Sequence, residues 1–127
     1  MIKNITHLTL LVKNQDDALD FFTKKLGFEL HTDVMFGEMR WLTVNPEGNK
    51  QFEITLMLPP SEQAAQVIGK QAGDMIFACF STDNCQALYE SLKKNGVETI
   101  GEPTQEPWGT QMIFKDLYGN SYLAVQQ

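Results

Sequence analysis

The chain has 127 residues, of which 43% are hydrophobic, and a net charge of −6 at pH 7. This length fits one domain with a hydrophobic core. The acidic balance and the single arginine, Arg40, argue against nucleic acid as a partner, and no apolar run approaches the ~20 residues of a membrane span.

The first half of the chain predicts one helix among four strands. Residues 4–13 alternate and are rich in Ile, Leu, Thr and Val, which indicates a strand. Asn14 is the expected helix N-cap, apolar residues at helical spacing continue to about residue 26, and Gly27 is the expected C-cap. Three further strands fit about 28–35, 38–45 and 51–58, with turn residues at 45–49.

The second half repeats this order. A strand is predicted at about 74–82, a helix capped by Asp83 with Gln86 completing a capping box, and a helix end at Gly96. Strands follow near 97–102, 110–115 and 120–126. Residues 59–73 connect the halves, with room for a short helix.

Two pairs of matching segments show that the halves are copies of one unit. Six of 13 positions are identical between residues 18–30 and 87–99, at an offset of 69. Residues 45–49 match 116–120 at an offset of 71. The chain is therefore predicted to be one domain (1–127) of two βαβββ modules, at about 1–58 and 74–127, with a linker at about 59–73. Duplicated units usually face each other across a shared cleft, which is where we expect a site.

Strand parity predicts which side chains line that cleft. Residues along a strand alternate between the two faces of the sheet, and the helix covers the apolar face. Ile54 and Leu56 therefore belong under the helix, whereas His7 and Glu53 point the other way. For His7 the alternative is a hydrogen-bonded structural histidine, and for Glu53 a solvent-facing residue. The face of His31 is not fixed by parity, and we assign it to the surface.

Transfer of this parity through the repeat predicts an apolar second wall. His7 maps to Ile76 at offset 69, which places Ile76 and Phe80 in the cleft, and Trp41 maps to Met112 at offset 71. A cavity with one polar and one apolar wall suits a small amphipathic molecule. The alternative is that this wall is core or dimer interface.

Three other side chains are candidate ligand contacts. Trp41 shares a face with Thr43 and is predicted to line the cleft. Trp108 lies in the loop before the strand at 110–115, where its indole would stack on a ligand or cover a sheet edge. Arg40 has the parity of the core set, but near a strand end its guanidinium can turn toward a ligand carboxylate.

The motifs resemble the vicinal oxygen chelate superfamily, which includes glyoxalase I, bleomycin resistance proteins and extradiol dioxygenases. The resemblance rests on the strand Ile5–Val12 followed by Asn14, on Ala18–Phe22 and Lys25–Phe28, and on the closing turn Asp116–Asn120. It covers nearly the whole chain. It implies an α+β fold of two βαβββ modules forming a cupped mixed sheet around a small-molecule site, and a homodimer.

The resemblance also implies a metal position on the first and fourth strands of each module. His7 matches the first-strand position, and Glu53 falls near the fourth-strand position. In the second module Ile76 and Leu123 stand at these positions, and neither side chain can coordinate a metal. At most two protein ligands remain, fewer than the usual three or four. The resemblance therefore predicts a degenerate metal site, with weak Zn, Ni, Mn or Fe binding as an alternative to none.

Three functions follow from this pattern. The first is a small-molecule-binding protein, with a ligand among Arg40, Trp41, Ile76, Phe80, Trp108, Met112 and Leu123. The second is a metal-dependent lyase, isomerase or dioxygenase that uses His7 and Glu53. The third is a metal-free enzyme in which Glu53 is the general base and His7 orients it.

The cysteines and the N-terminus bear on the compartment. Met1–His7 contains no apolar segment typical of a signal peptide. Cys79 and Cys85 lack CxxC spacing, and we expect free thiols in a reducing environment. The sequence thus predicts a cytoplasmic protein with neither a membrane nor a nucleic-acid partner.

Overall fold

The duplication is visible as two structural units. The computed structural model describes all residues from 1 to 127, which divide into the units Met1–Ile68 and Gly69–Gln127. Each unit holds one four-stranded mixed sheet and has the βαβββ order, so the predicted fold class is confirmed. The assignment of both units to one domain stays a prediction. None of the helices could span a membrane.

The first unit has its strands in the spatial order β1-β4-β3-β2. The β1 and β4 strands run parallel, whereas β3 is antiparallel to both of its neighbours. The elements are β1 (His7–Leu11), α1 (Gln15–Asp20), a π-helical turn (Phe21–Lys25), β2 (Glu29–Phe36), β3 (Met39–Asn45), β4 (Glu53–Met57) and α2 (Glu62–Ala65).

The first helix begins at the predicted N-cap, and its π-helical continuation ends just before the predicted Gly27. The Asn14 side chain accepts a hydrogen bond from the backbone N–H of Asp17 at 2.9 Å and so caps a helix start that is rich in carboxylates. After the π-helical turn the chain reverses at Gly27, whose φ of 78° lies in the left-handed region that favours glycine.

The two faces of the first sheet differ in chemistry. We call the side that carries α1 the helix face and the other side the far face. Arg40 shares the helix face with Leu42 and reaches Asp16 of α1, which identifies the side covered by the helix. The buried apolar residues of this face are Leu10, Val12, Leu42, Val44, Ile54 and Leu56. Their burial supplies the core of the unit, at roughly 1.5–3 kcal/mol for each large side chain.

The second unit repeats the arrangement with the order β5-β8-β7-β6. The β5 and β8 strands are parallel, and β7 is antiparallel to its two neighbours. The elements are β5 (Ile76–Ser81), α3 (Cys85–Lys94), β6 (Thr99–Glu106), β7 (Gly109–Lys115) and β8 (Ser121–Gln126).

The start of α3 corrects one prediction. Asn84, not Asp83, is the N-cap, and its side chain accepts from the N–H of Ala87 at 3.0 Å. The capping box with Gln86 is therefore wrong. Both Asp and Asn can cap a helix, and Asn84 takes the place that Asn14 holds in the first unit. The predicted end at Gly96 is confirmed by its φ of 78°.

An aromatic stack forms the core of the second sheet. Phe80, Phe114 and Tyr122 lie nearly parallel, with ring centroids 5.3–6.4 Å apart. The Tyr122 hydroxyl donates to the buried Asp116 carboxylate at 2.7 Å, and burial raises the pKa of this phenol. The buried aromatic ring thus keeps a partner for its polar end.

A β-bulge at Phe77 breaks the predicted transfer between the units. Ile76 pairs with Ser121, but Ala78 pairs with Tyr122, so Phe77 is an extra residue whose ring packs against Tyr122. From the bulge to the N-caps Asn14 and Asn84 the units correspond at an offset of 70. One equivalent hydrogen bond shows this. The N–H two residues before the N-cap donates to a carbonyl of the fourth strand in both units, Val12 to Met57 in the first and Thr82 to Val125 in the second.

Two predicted cleft residues lie on the other side of the sheet. In the second sheet the helix face is the side that carries α3, and the other side is its far face. Phe80 and Met112 lie on this helix face, where both pair with the fully buried Ala124. The prediction that they face the cleft is wrong. The Phe77 bulge turns Phe80 over, and Met112 is turned over because the offset of 71, read from the turns, does not hold along β7. Ile76 precedes the bulge and shares the far face with Ser121 and Leu123, as predicted.

Candidate functional site

The parallel pairing of β1 with β4 brings the two polar candidates together. His7 pairs with Glu53 in the register of the two strands. His7 Nε2 lies 3.0 Å from Glu53 Oε2, and the other ring nitrogen, Nδ1, lies 2.9 Å from Thr6 Oγ1. Both His7 and Glu53 are on the far face, as parity predicts, and both nitrogens of His7 have partners.

Glu53 is the centre of this cluster. Its side chain is only 13% exposed. It lies in a strand that also holds Ile54 and Leu56, which are apolar and fully buried. Its other oxygen, Oε1, accepts from Thr43 Oγ1 at 2.7 Å and lies 3.0 Å from His31 Nδ1. A carboxylate so enclosed is stabilised by these hydrogen bonds, without which its burial would be costly.

His31 is the member that sequence reasoning missed. We assigned it to the surface, and the residue as a whole is exposed, but its side chain is 27% exposed and points at Glu53. The β2 and β3 pairing shifts between Leu30 and Thr32, so His31 is the extra residue of a β-bulge. Bulges re-aim side chains next to functional sites. The sequence carries no signal of this bulge, because the extra residues between the two matched segments lie in the second copy.

Aromatic and hydroxyl side chains surround the cluster. The Trp41 ring lies 5.8 Å from the His7 ring, centroid to centroid, in a tilted arrangement. Thr43 and Thr55 pair across β3 and β4 and are almost fully buried. The Thr55 hydroxyl has no hydrogen-bond partner. The far face of the first unit thus combines an aromatic ring, a held carboxylate and an unsatisfied buried hydroxyl.

Arg40 lies on the opposite side of this sheet. Its guanidinium donates from Nε and Nη2 to Asp33 at 2.9 Å each and from Nη1 to Asp16 at 2.7 Å. The Arg40 hydrogen bonds hold the pKa of the Asp33 carboxyl below its usual range, and the two carboxylates raise the pKa of Arg40. The structure therefore does not bring Arg40 together with His7 and Glu53.

The far face of the second unit lacks this chemistry. Ile76 and Leu123 lie there, with Ser121 opposite Ile76 where the first unit has Glu53 opposite His7. Trp108 is 55% exposed, and its indole N–H donates to Gln111 Oε1 at 2.9 Å. A ligand role for these residues stays a prediction.

The residues present do not form a metal centre. No group of three or more His, Cys, Asp or Glu side chains is arranged to hold a metal ion. The two imidazoles approach different oxygens of Glu53, His7 at Oε2 and His31 at Oε1, as partners of the carboxylate. This arrangement does not support the metal-dependent lyase, isomerase or dioxygenase.

A family model spans this fold and site. The model described as Glyoxalase/Bleomycin resistance protein/Dioxygenase superfamily matches residues 4–122. Among curated proteins, the chain is 37% identical to the uncharacterized protein YetH of Bacillus subtilis (strain 168), over 97% of this chain and 98% of YetH.

Two solved structures of similar length share the fold. UcmS2 is 35% identical with a TM-score of 0.89, covering 100% of both chains. TnmS3, an antibiotic binding protein from Streptomyces sp. CB03234, is 28% identical with a TM-score of 0.82, covering 98% of this chain and 96% of that one.

Proposed function

Because the chain belongs to the glyoxalase/bleomycin resistance protein/dioxygenase superfamily, we propose that it binds and sequesters a small organic molecule on the far face of its first unit. The contacts are Glu53, His7, His31 and Trp41. The polar cluster orients the ligand, and the Trp41 ring supplies apolar contact area.

The enclosed carboxylate of Glu53 carries this proposal. An apolar strand gains no stability by turning a carboxylate inward, and His7, His31 and Thr43 all serve to hold it there. Polar groups concentrated on an otherwise apolar surface are the usual mark of a small-molecule site. The first unit has this mark and the second does not, which is why the proposal is confined to the first.

The ligand class we propose is a planar aromatic molecule of the size of an antibiotic. The likeness to TnmS3, an antibiotic binding protein, supports this class. So does the pairing of Trp41 and His7, two flat rings at 5.8 Å, which offers stacking surfaces next to the carboxylate. The net charge of −6 favours neutral or cationic ligands over anionic ones.

Tryptophan fluorescence tests this proposal directly, because the chain has only two tryptophans. In a Trp108→Phe variant, Trp41 is the sole reporter, and we expect aromatic ligands from a thermal-shift screen to quench it saturably. In a Trp41→Phe variant, the remaining Trp108 should report much less quenching. Equal quenching in both single-tryptophan proteins would place the ligand elsewhere.

The role of Glu53 is tested on the same ligands. Glu53→Gln keeps the side-chain shape but removes the charge, and we expect at least about a tenfold loss of affinity, since hydrogen bonds to a charged group contribute about 1.5–3 kcal/mol. Glu29→Gln, on the same sheet, is the matched control. Affinity that survives Glu53→Gln and Glu53→Ala unchanged would contradict the proposal.

We also propose that the protein is a homodimer of the cytoplasm. The β2–β3 hairpin exposes Val34, Met35, Phe36 and Met39, an apolar surface that suits association with a second copy. Light scattering should give twice the mass of one chain, and Phe36→Lys should shift it toward the monomer. A monomer at micromolar concentration would contradict dimerisation. Both cysteines are free thiols, which supports a reducing compartment.

A further inference from the structure

We propose that the ring nitrogen Nε2 of His31 is the atom that recognises the ligand, by accepting a hydrogen bond from a hydroxyl or N–H group on an aromatic ring. This inference rests on the proposed function and deepens it, because it selects hydroxylated or N–H-bearing aromatics over their alkylated analogues. It gives a recognition role to His31, which the sequence alone indicates to be a surface histidine.

The surroundings of Nδ1 determine which nitrogen of His31 carries the proton. Nδ1 lies 3.0 Å from Glu53 Oε1 and 2.8 Å from Thr32 Oγ1. A bare Nδ1 would direct its lone pair at a carboxylate oxygen, which is repulsive, whereas an Nδ1–H donates to that oxygen. The neutral ring therefore holds its proton on Nδ1 and leaves Nε2 as an acceptor.

His31 differs from His7 in this respect. His7 uses both nitrogens inside the protein, Nε2 toward Glu53 and Nδ1 toward Thr6. His31 uses only Nδ1, and its Nε2 has no partner on a side chain that is 27% exposed. One carboxylate thus holds two imidazoles in opposite tautomers, and only His31 presents a free acceptor to a ligand.

The bulge makes this presentation rigid. His31 is the extra residue between Leu30 and Thr32, and its ring is held on one edge by Glu53, which Thr43 holds in turn at 2.7 Å. A carboxylate that orients an imidazole through Nδ1–H fixes both the tautomer and the ring direction, as metal sites and catalytic dyads also show. An acceptor fixed in advance discriminates strongly, because a ligand without a donor leaves it unsatisfied.

The tautomers are measurable without any ligand. Long-range proton–nitrogen NMR spectra of wild-type protein labelled with nitrogen-15 contain only two imidazoles, which His7→Gln and His31→Asn assign. At a pH where both rings are neutral, we expect a bare Nε2 in His31 and a bare Nδ1 in His7. Glu53→Ala should release His31 toward the Nε2–H form. A wild-type His31 already in the Nε2–H form would overturn the inference.

A pair of probes tests recognition itself. 2-Naphthol carries a hydroxyl donor, and 2-methoxynaphthalene lacks one but has the same ring. We expect wild-type protein to prefer 2-naphthol by about tenfold, the value of one hydrogen bond. His31→Asn keeps a donor toward Glu53 without the Nε2 acceptor and should abolish that preference. His31→Gln places an acceptor near Nε2 and should restore part of it.

The outcomes separate this inference from the proposed function. Equal binding of both probes by wild type would overturn the inference and leave the proposed function standing. A His31→Asn variant that weakens both probes equally would show a structural role only, and so also overturn it. If wild type binds neither probe at saturating concentration, the proposed aromatic site and the inference both fail.

Discussion

The two units share one fold and one kind of core, but their far faces differ. In the first unit His7 stands opposite Glu53, and in the second Ile76 stands opposite Ser121. The helix faces are apolar in both units because burial under the helix demands it. The far face is not packed under the helix, so its side chains need not be apolar, and we expect polar residues there to serve function. This difference between the far faces is the reason that the proposed binding site is assigned to the first unit.

The largest expected effect tests the register on which this comparison depends. Met112 lies on the helix face and is 2% exposed, whereas its neighbour Ile113 lies on the far face and is partly exposed. Met112→Lys should lower the free energy of unfolding by more than about 3 kcal/mol, because it buries an unpaired charge. Ile113→Lys should cost less than about 1 kcal/mol.

Chemical denaturation of both variants measures the difference. The sequence repeat taken at offset 71 predicts the opposite order, with Met112 the tolerant position. If Ile113→Lys were the more damaging change, the assignment of the two faces in the second unit would have to be reversed.

The sequence predicts the fold and three of the four proposed contact residues for physical reasons. Alternating apolar residues and the two pairs of matching segments are enough to predict two βαβββ units, because burial and turn chemistry are local signals. His7, Glu53 and Trp41 follow from parity, which holds as long as a strand is regular. Each of these three residues lies on a stretch without a bulge.

The errors all fall at irregular points. A bulge at Phe77 moved Phe80 to the helix face, and a bulge at His31 brought that residue to Glu53. Met112 was misplaced because the offset of the turns, 71, does not hold along β7. An extra residue in one strand has no reliable signature in a single sequence. Arg40 illustrates another limit, since its parity was right but its partners, Asp16 and Asp33, come from separate elements.

A smaller effect separates the two sides of the first sheet. Arg40→Met should lower the free energy of unfolding by about 1.5 kcal/mol at neutral pH, because it removes charged hydrogen bonds to Asp33 and Asp16. It should leave ligand affinity unchanged, since Arg40 lies on the helix face. A large loss of affinity would place the guanidinium at the ligand after all.

The pH dependence of this variant has a definite sign. The pKa of Asp33 is lowered in the folded protein, chiefly by its hydrogen bonds from Arg40. The ionised Asp33 carboxylate therefore contributes its full stabilisation of the folded protein above the unfolded pKa of about 3.9. This contribution is lost as the pH falls through the lowered pKa of the folded protein. Denaturation at several pH values should show the wild-type advantage at pH 7 shrinking below about pH 4.

The smallest effect compares two threonines on the far face itself. Thr43 and Thr55 are paired and equally buried, but the Thr43 hydroxyl donates to Glu53 and the Thr55 hydroxyl has no partner. Valine has nearly the same shape. Thr43→Val should cost about 1 kcal/mol, whereas Thr55→Val should be neutral or stabilising within about 1 kcal/mol, because it removes an unsatisfied buried group.

Thermal and chemical unfolding of the two valine variants measures this contrast, and ligand titration extends it. A buried hydroxyl without a protein partner usually forms its hydrogen bond with a ligand or an ordered water. If Thr55→Val stabilises the free protein but weakens ligand binding, the hydroxyl is kept for recognition. If it destabilises the protein as much as Thr43→Val does, the Thr55 hydroxyl already has a partner in solution, and the far face is more complete without a ligand than its geometry implies.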